Sequence, residues 1–356
     1  MIVSNEDFYK SIVTRVNIKQ PHFPVSTSDN FFFAGSCFAD NLYQSMEKEF
    51  LHASAPPFGP MYNPVSIAGN VMLLAEGREI EKSELLLSPT GYAHYAFHTG
   101  FSDTDPQTLT ESLNKKIEKS KQQLKRSSVL VLTLGTAFVY RLKSTGAVVN
   151  NCHKMPASNF SRELLDIDTI DQALEQTVSA AEKVRSHSEA GSPHDDSISA
   201  HRLKVIITIS PVRHMRDGAE ENSLSKSILR CAVDKFIRKS KERWYFPSFE
   251  IMMDELRDYR WYKRGLTHPS EEAVNYIIQR FFAAAADNRL IQYRKEVSPF
   301  VKGLLHKPKN KESNEHKVFL QKLEDMRQNL CNTYPEIETL RKGSAELRQV
   351  LESYSK

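Results

Sequence analysis

The stretch Phe31-Phe32-Phe33-Ala34-Gly35-Ser36-Cys37-Phe38-Ala39-Asp40-Asn41 decides the fold that this sequence predicts. Its three phenylalanines and an alanine form an apolar run with the length of a buried strand. Gly35 permits a tight turn that other residues resist. After the turn, Phe38, Leu42 and Met46 recur near the spacing of one helix face. The stretch therefore predicts a strand, a turn and a helix in direct succession.

Two interpretations of this turn are open. In the first, Ser36 or Cys37 is a nucleophile at the top of a sheet, and the free N–H groups of the helix start face a developing oxyanion. In the second, the turn is an ordinary connection and Ser36 caps the helix. Taken alone, the stretch favours the second interpretation.

The composition is that of a globular chain. It has 356 residues, of which 40% are hydrophobic and 26% are charged, and its formal net charge is +4. The basic excess is slight and spread out, and no basic stripe with interleaved aromatic residues predicts a nucleic-acid partner. Residues 1–10 lack a signal-peptide pattern, and no apolar run reaches about 18 residues. We therefore expect no membrane span and a cytoplasmic location.

The cysteines and histidines do not indicate a metal site. The four cysteines are Cys37, Cys152, Cys231 and Cys331. None forms a CxxC pair, so we expect reduced thiols and neither a disulfide framework nor a zinc site. The histidines show no fixed ligand spacing, and the chain has no glycine-rich phosphate loop, HExxH or GxGxxG motif. The sequence therefore predicts no metal and no cofactor.

Apolar strands alternate with amphipathic helices along the chain. Further strands are predicted at 128–134 and 202–210, a short one within 244–250, and helices at 66–76, 107–126, 169–185, 222–240 and 270–285. A flexible insertion is predicted at 186–201, between a helix and the third strand. This alternation predicts an α/β fold with a mostly parallel sheet that helices cover on both faces.

Polar clusters follow the predicted strands. They are Gly35-Ser36-Cys37, Gly135-Thr136, Ser210-Pro211-Val212-Arg213-His214 and His268. In open parallel sheets, ligands bind outside the carboxyl ends of the strands. Each cluster is a weak signal alone, but four clusters on one rim together predict a site there.

The last part of the chain differs from the rest. Residues 1–299 are predicted to form one α/β domain, and residues 300–356 a charged linker with a helical tail. Phe319, Leu323, Met326 and Leu330 recur at steps of four and three, which predicts a helical hairpin or a short coiled coil. The tail either packs on the body or uses residues 316–356 to form a homodimer or to bind a protein partner.

The residue types at the rim fit acyl transfer to or from oxygen. Such chemistry needs a nucleophile, a base within reach and donors for the oxyanion. The nucleophile candidates are Ser36 and Cys37, and the base candidates are His268, His214 and His153. The main-chain N–H groups after Gly35, at Gly59 and at Gly135 are candidate donors. Arg213 either grips a carboxylate or phosphate or bridges loops.

The motif Gly35-Ser36-Cys37-Phe38-Ala39 resembles the one that names the GSCFA family, and further blocks are similar to that family in its order over roughly residues 15–285. These blocks are Phe58-Gly59 with Asn63-Pro64-Val65-Ser66, residues 94–101, Leu134-Gly135-Thr136-Ala137, Asn151-Cys152-His153-Lys154, Ser210-Pro211-Val212-Arg213-His214, Glu221-Asn222-Ser223 with Ser225-Lys226, residues 253–260, and His268-Pro269-Ser270. The resemblance does not extend to the tail beyond about residue 300.

The resemblance implies a relative of the SGNH hydrolases. It implies a flavodoxin-like three-layer α/β/α fold and an esterase or O-acyltransferase that acts on acylated glycans or lipids. Where SGNH hydrolases have Gly-Asp-Ser, this chain has Gly35-Ser36-Cys37. Strict register places Cys37 at the nucleophile position, whereas a shift by one residue places Ser36 there.

Two further departures concern the partners of the nucleophile. Where SGNH hydrolases have Gly-x-Asn-Asp, this chain has Gly135-Thr136-Ala137-Phe138, so that the asparagine donor is missing. Asn63 or Asn151 can take its place. The aspartate expected three residues before the catalytic histidine, His268, is replaced by Gly265. Whether Asp254 or Asp258 reaches the histidine instead is open at this point.

Two main hypotheses follow, besides a minor third one in which His94, His98, His153, His214 and His268 form a metal site. In the first, Ser36 or Cys37 attacks an acyl ester and His268 relays the proton. The residues expected to bind the oxyanion or the substrate are then Gly59, Asn63, Gly135, Thr136, Asn151, His153, Arg213, His214 and Asn222. In the second, the chain is a catalytically impaired glycan- or acyl-binding module. A carboxylate hydrogen-bonded to the ring of His268 favours the enzyme, because a Ser-His pair loses about 10⁴-fold in rate when its orienting aspartate is disabled.

Overall fold

A computed structural model describes residues 13–186, 202–306, 308, 310 and 313–342. Its strands are β1 (Phe31–Gly35), β2 (Ala53–Ser54), β3 (Leu86–Ser88), β4 (Gly91–Ala93), β5 (Val129–Leu134), β6 (Phe138–Leu142), β7 (Val148–Val149), β8 (Phe160–Leu164), β9 (Lys204–Ile209) and β10 (Arg243–Phe246). The predicted insertion lies outside the described residues from residue 187 onward.

A helix lies close to each predicted helical position, and the helix Asn288–Leu304 lies where the sequence analysis predicted none. The longer helices are α1 (Cys37–Lys48), α2 (Pro64–Glu76), α3 (Pro106–Lys125), α4 (Ile167–Ser186), α5 (Ala219–Ile237), α6 (Glu271–Ala285), α7 (Asn288–Leu304), α8 (Asn314–Thr333) and α9 (Glu338–Lys342). A short helix at Ser248–Glu250 continues into a π-helical turn at Ile251–Glu255. In the described part of the chain, none of the helices is long and apolar enough to cross a membrane.

The central sheet has five parallel strands in the order β2-β1-β5-β9-β10. Counted along the chain, these strands stand in the order 2-1-3-4-5, which is the flavodoxin-like arrangement of an open α/β sheet. The remaining strands form the antiparallel pair β3-β4 and the antiparallel sheet β7-β6-β8. The predicted α/β fold with a mostly parallel sheet is confirmed.

The first strand shows why the sheet needs helices on both faces. Phe31 and Phe33 belong to one buried cluster, which includes residues of α1, α6, α7 and α8. Phe32 and Ala34 belong to a second cluster, which includes residues of α2, α3, α4 and α5. Successive side chains of a strand point to opposite faces, so a strand that is apolar throughout is buried between two helical layers.

The described part of the tail packs on this body. Leu320, Leu323 and Leu330 are buried in the same cluster as Phe31, and the ring of Tyr334 contacts that of Tyr293 at 4.9 Å between centroids. Of the two alternatives predicted for the tail, the structure therefore shows that these residues pack on the body. The proposed boundary at residue 299 falls inside α7 and stays a prediction, as does a partner for residues 316–356.

The turn between β1 and α1 depends on the missing side chain of Gly35. Its φ of +134° is rare for residues with a side chain, and a Cβ placed there lies 2.2 Å from the carbonyl oxygen of Thr133. Parallel pairing aligns Gly35 with Thr133, so the two main chains cannot separate without breaking the register. Gly35 thus allows β1 to reach its end beside β5.

We expect Gly35→Ala to lower the free energy of unfolding by about 3 kcal/mol or more, because it adds backbone strain to a clash with main-chain atoms. Urea denaturation measures the effect. Gly69→Ala is the matched control, since Gly69 lies in α2 with open space around its Cβ position. The free energy of unfolding of that control should rise by up to about 1 kcal/mol, because alanine has a higher helix propensity than glycine. Equal stabilities of the two variants would contradict this account of the turn.

Candidate functional site

A cavity of about 670 Å³ opens at the carboxyl end of the central sheet. Segments that follow β5 and β9 form part of its wall, together with the small antiparallel sheet. Seven of the residues predicted from the sequence line it: Asn63, Thr136, Asn151, His153, Arg213, His214 and His268. The cavity therefore joins residues that lie more than 200 positions apart in the chain.

Ser36 caps α1. It is 1% exposed, and its Oγ accepts a hydrogen bond from the N–H of Phe38 at 3.4 Å. The same oxygen lies 3.0 Å from Oγ1 of Thr133, and the N–H of Ser36 donates to the carbonyl of Thr133 at 2.9 Å. These contacts hold the hydroxyl inside the turn, away from solvent.

Cys37 is the more accessible of the two candidate nucleophiles. It is the first residue of α1 and only partly buried, and its Sγ lies 3.5 Å from the hydroxyl of Tyr62. Among the described residues, its N–H has no hydrogen-bond acceptor. An unpaired N–H at the start of a helix carries partial positive charge and favours an anion beside it.

Tyr62 links Cys37 to the cavity. Its ring lines the cavity and contacts the ring of His214 edge-on, with 5.6 Å between centroids. Burial, followed by the hydrogen bond and the charge of Cys37 and the charge of Asp40, raises the pKa of the phenol well above its usual value. The phenol is therefore protonated at neutral pH and can donate a hydrogen bond.

The predicted oxyanion donors are engaged within the protein. The N–H groups of Gly135 and Thr136 donate to the carbonyl of Tyr62 at 2.7 and 2.9 Å. Asn63 caps α2, where its side chain accepts from the N–H of Ser66 and donates to the hydroxyl of that residue. A ligand that uses Gly135 or Thr136 has to displace the carbonyl of Tyr62.

Gly59 and Asn151 also have partners. The N–H of Gly59 donates to the carbonyl of Pro56 at 3.4 Å, which is a long hydrogen bond. The Oδ1 of Asn151 accepts from the hydroxyl of Thr99 at 2.9 Å and from the N–H of His153 at 2.8 Å. Gly59 does not line the cavity, whereas Asn151 does.

His268 lies exposed at the rim of the cavity. Its Nδ1 is 3.0 Å from the hydroxyl of Thr267. Within the described residues, no carboxylate hydrogen-bonds its ring: Asp258 pairs with Arg260, and Asp254 is exposed. The neighbouring threonine hydroxyl thus occupies the place that an orienting aspartate holds in a Ser-His-Asp site.

His214 lines the same cavity as His268 and is held neutral. Its N–H donates to Oδ1 of Asn222 at 2.8 Å, so Asn222 positions the backbone of His214 without lining the cavity. Burial first, and then the positive charges of Lys226 and His268, lower the pKa of His214 to about 4. A neutral imidazole at this position can accept or donate one hydrogen bond without adding charge.

Lys226 ties together the ends of two central strands. Its side chain is fully buried, and its Nζ donates to the carbonyls of Gly135 at 2.7 Å and Ser210 at 2.8 Å. Burial lowers the pKa of this ammonium to about 7. Since these carbonyls follow β5 and β9, Lys226 sets the distance between the two segments that carry Thr136 and His214.

His153 lies on a strained turn beside the cavity. It is fully buried, with a φ of 49°, and Lys154 after it has a φ of 58°. Its Nε2 lies 2.9 Å from the carbonyl of His94, and burial lowers the pKa of both histidines, that of His94 to about 4. Two adjacent left-handed residues with side chains are costly, and such strain is concentrated at functional sites.

A sequence model of the GSCFA family matches residues 30–281, well over half of the chain. The chain belongs to the GSCFA family. A search among curated proteins found no match, and a search among solved structures found none either. The matched residues extend from just before β1 into α6, so they include every predicted site residue of this GSCFA protein.

Sequence reasoning missed three residues that shape the site. Tyr62 directly precedes the Asn63-Pro64 start of α2, and Lys226 ends the block that begins at Glu221. Arg162 lies on β8 and reaches the cavity wall. Tyr62 lies next to one of the motif blocks and Lys226 within another, so proximity to a motif was a usable signal, whereas nothing near Arg162 marked it.

The described residues of this GSCFA protein contain no group of three or more histidine, cysteine or acidic side chains that could hold a metal ion. The histidines of the rim instead bond to the main chain or to neutral side chains, as the contacts of His153 and His268 show. What the arrangement offers chemically is a thiol, a phenol and neutral or exposed imidazoles.

Acid should destabilise the protein because His94 and His214 are partly buried and held as neutral rings. Each has a pKa of about 4 in place of the usual 6.5, so the unfolded chain binds more protons between these values. Stability therefore falls as the pH falls through this window. We expect urea denaturation to show that the free energy of unfolding falls by on the order of 1 kcal/mol per histidine between about pH 6.5 and pH 5.

His94→Asn should reduce this pH dependence. The Nδ1 of His94 accepts a hydrogen bond from the N–H of Ala96 at 3.1 Å, and an asparagine oxygen can accept the same bond without titrating. His22→Asn, at an exposed position, is the control that keeps the wild-type slope. Identical slopes in all three proteins would show that His94 is not held neutral by burial.

Proposed function

We propose that this GSCFA protein is an esterase or O-acyltransferase that acts on acyl esters of a glycan or lipid, with Cys37 as the nucleophile and His268 as the base. The observation that carries the proposal is the contrast at the turn after β1. Ser36 is fully engaged as a cap, whereas Cys37 is partly exposed at the start of α1, with an unpaired N–H among the described residues. This favours the strict register of the family motif.

The reaction proceeds through a thioester. The thiol of Cys37 passes its proton to His268, and the thiolate attacks the carbonyl carbon of the ester. The bond to the alcohol oxygen breaks while protonated His268 returns the proton to that oxygen. Water or an acceptor hydroxyl then attacks the thioester, which yields an acid or a new ester and restores the thiol.

A cysteine nucleophile suits the surroundings of His268. A thiol is more acidic than a hydroxyl and its anion is intrinsically nucleophilic, so it needs less help from an oriented base. The ring of His268 contacts the hydroxyl of Thr267 rather than a carboxylate. This arrangement fits a Cys-His dyad better than a serine triad.

Tyr62 replaces the missing asparagine donor in this proposal. Its protonated phenol lies 3.5 Å from the Sγ of Cys37, and so within reach of an oxyanion that forms on a carbon bonded to that sulfur. Together with the N–H of Cys37 it supplies two donors. Donors of this kind act where charge develops in the transition state, which is where they lower the barrier.

An apolar groove beside the cavity is consistent with the binding of an acylated ligand. It measures about 230 Å³, its wall includes Met252, Met253, Leu256 and Tyr259, and Arg213 lines both groove and cavity. Met253 and Tyr259 are among the exposed large hydrophobic residues. Exposed apolar side chains beside a polar cavity fit a substrate with an acyl part and a polar part.

Cys37→Ala should reduce hydrolysis of short-chain p-nitrophenyl esters and thioesters more than about 10³-fold, because it removes the nucleophile. His268→Ala should be similarly impaired. Mass spectrometry of the wild type after mixing should find the acyl mass on the peptide that contains Cys37.

Ser36→Ala is the matched control for this experiment. It should lose about 1 kcal/mol of stability through the missing helix cap but keep most of the activity once it is folded. Loss of activity in a folded Ser36→Ala protein, with an active Cys37→Ala protein, would overturn the assignment of the nucleophile.

Tyr62→Phe should lower kcat by about 10² to 10³-fold with little change in KM, since an oxyanion donor acts in the transition state. Tyr140→Phe is the control, because Tyr140 also lines the cavity but has no contact with Cys37. Steady-state kinetics with a short-chain ester measure both. An equal loss in the two variants would assign Tyr62 a general packing role.

Two observations favour a second function, that of a binding module. Among the described residues, neither a carboxylate at His268 nor a cavity contact of Cys37 is present, which suits a binding module that has kept the fold. In that case wild type and His268→Ala show the same background rate across the ester panel, while an acylated glycan still binds. The predicted cytoplasmic location and the partner for residues 316–356 stay predictions under either function.

A further inference from the structure

We propose that the cavity at the carboxyl end of the sheet is specific for an acidic carbohydrate, a hydroxyl-rich ligand that carries a carboxylate or a phosphate. The inference rests on the proposed function, because it names the substrate class of the same cavity. It goes beyond that function by assigning a charge to the ligand and by naming the residues that recognise it.

The charges of the cavity wall are strongly unbalanced. Four cationic residues line it, Lys154, Arg162, Arg213 and Arg216, against the single carboxylate of Asp217. That carboxylate is already paired with Arg162 at 2.6 Å. Among the described residues, the other three cations form no ion pair. Since the whole chain carries only +4, this excess is a local property of the cavity and attracts anions there.

Two of the arginines are held in place by neighbouring groups, Arg162 also by its ion pair with Asp217 and Arg213 without any ion pair among the described residues. The guanidinium of Arg162 lies 3.5 Å from the centre of the Phe138 ring. That of Arg213 lies 5.8 Å from the centre of the Tyr262 ring and donates to the carbonyl of Leu266 at 3.5 Å. A guanidinium that is fixed before binding loses less freedom when it pairs with a carboxylate or phosphate.

The cavity also offers acceptors to hydroxyl groups. His153 is fully buried, and since its Nε2 donates to the carbonyl of His94, its Nδ1 is a bare acceptor. That atom and Oδ1 of Asn150 are buried without a hydrogen-bond partner in the described structure, and both residues line the cavity. Buried acceptors without a donor are rare in proteins. Hydroxyl groups of a sugar supply such donors.

Aromatic side chains complete the match to a sugar. Phe138, Tyr140 and Phe160 line the wall beside the small antiparallel sheet. Rings bury the apolar faces of a ligand while its hydroxyl groups reach polar neighbours. Cations, acceptors and rings in one cavity thus favour an acidic sugar over a neutral glycan, which leaves the cations unpaired, and over a simple anion, which leaves the acceptors unpaired.

The test compares three probes by isothermal titration calorimetry: a galacturonic acid trimer, the neutral galactose trimer and galactose 6-phosphate. We expect at least one acidic probe to bind about tenfold more tightly than the neutral trimer, and this preference to shrink at high salt because partly exposed charges are screened. Preference for the trimer identifies a carboxylate ligand, and preference for the phosphate a phosphorylated one.

Arg216→Gln and Lys154→Gln locate the interaction, because both side chains are exposed at the cavity mouth and neither belongs to the proposed dyad. Each single variant should bind the preferred acidic probe several-fold more weakly than the wild type, and the double variant about tenfold more weakly or more. Arg126→Gln is the matched control, an exposed arginine at the end of α3 that leads to the opposite end of the sheet. It should bind as the wild type does.

Two results would overturn the inference: equal or absent binding of all three probes, or an equal loss in the Arg126→Gln control. The same titrations on Cys37→Ala separate this inference from the proposed function, since binding does not need the thiol. Selective binding by a protein that hydrolyses no ester would support the acidic ligand and contradict the proposed esterase or acyltransferase activity. Hydrolysis without a preference for acidic probes would support that activity and contradict the acidic ligand.

Discussion

The close approach of Gly35 to Thr133 is the contact on which the site depends. A Cβ at Gly35 lies 2.2 Å from the carbonyl oxygen of Thr133, so the end of β1 is within reach of β5 only without a side chain. That carbonyl then accepts from the N–H of Ser36, and the hydroxyl of Thr133 meets that of Ser36. The turn is thereby closed, and Cys37 begins α1 at the carboxyl edge of the sheet.

Buried polar side chains hold the rest of that edge together. Lys226 bonds to the carbonyls of Gly135 and Ser210, and the carbonyl of Tyr62 accepts two N–H groups from the segment after β5. A buried ammonium is costly unless its donors are paired, and these carbonyls pair two of them. The same charge helps to keep His214 neutral. Structural polar contacts and the electrostatics of the cavity are therefore coupled.

The site differs from the serine-based arrangement that its resemblance to the SGNH hydrolases implied. The serine of the family motif serves as a cap, so the proposed function assigns the chemistry at this turn to Cys37, whose thiol would tolerate the threonine that stands beside His268. The excess of cations in the cavity wall is independent of that dyad. The proposed ligand recognition and the proposed catalysis thus depend on different side chains and can be tested separately.

The sequence by itself determined the layers and the edge at which the site lies. Apolar strands such as residues 31–34 need cover on both faces, and alternation with helices makes their carboxyl ends meet. Only the tertiary structure decided which polar groups are free there. The carbonyl of Tyr62 engages Gly135 and Thr136, more than seventy residues onward, and Arg162 enters the cavity from β8. Such contacts follow from how distant segments pack, and no local period or spacing encodes them.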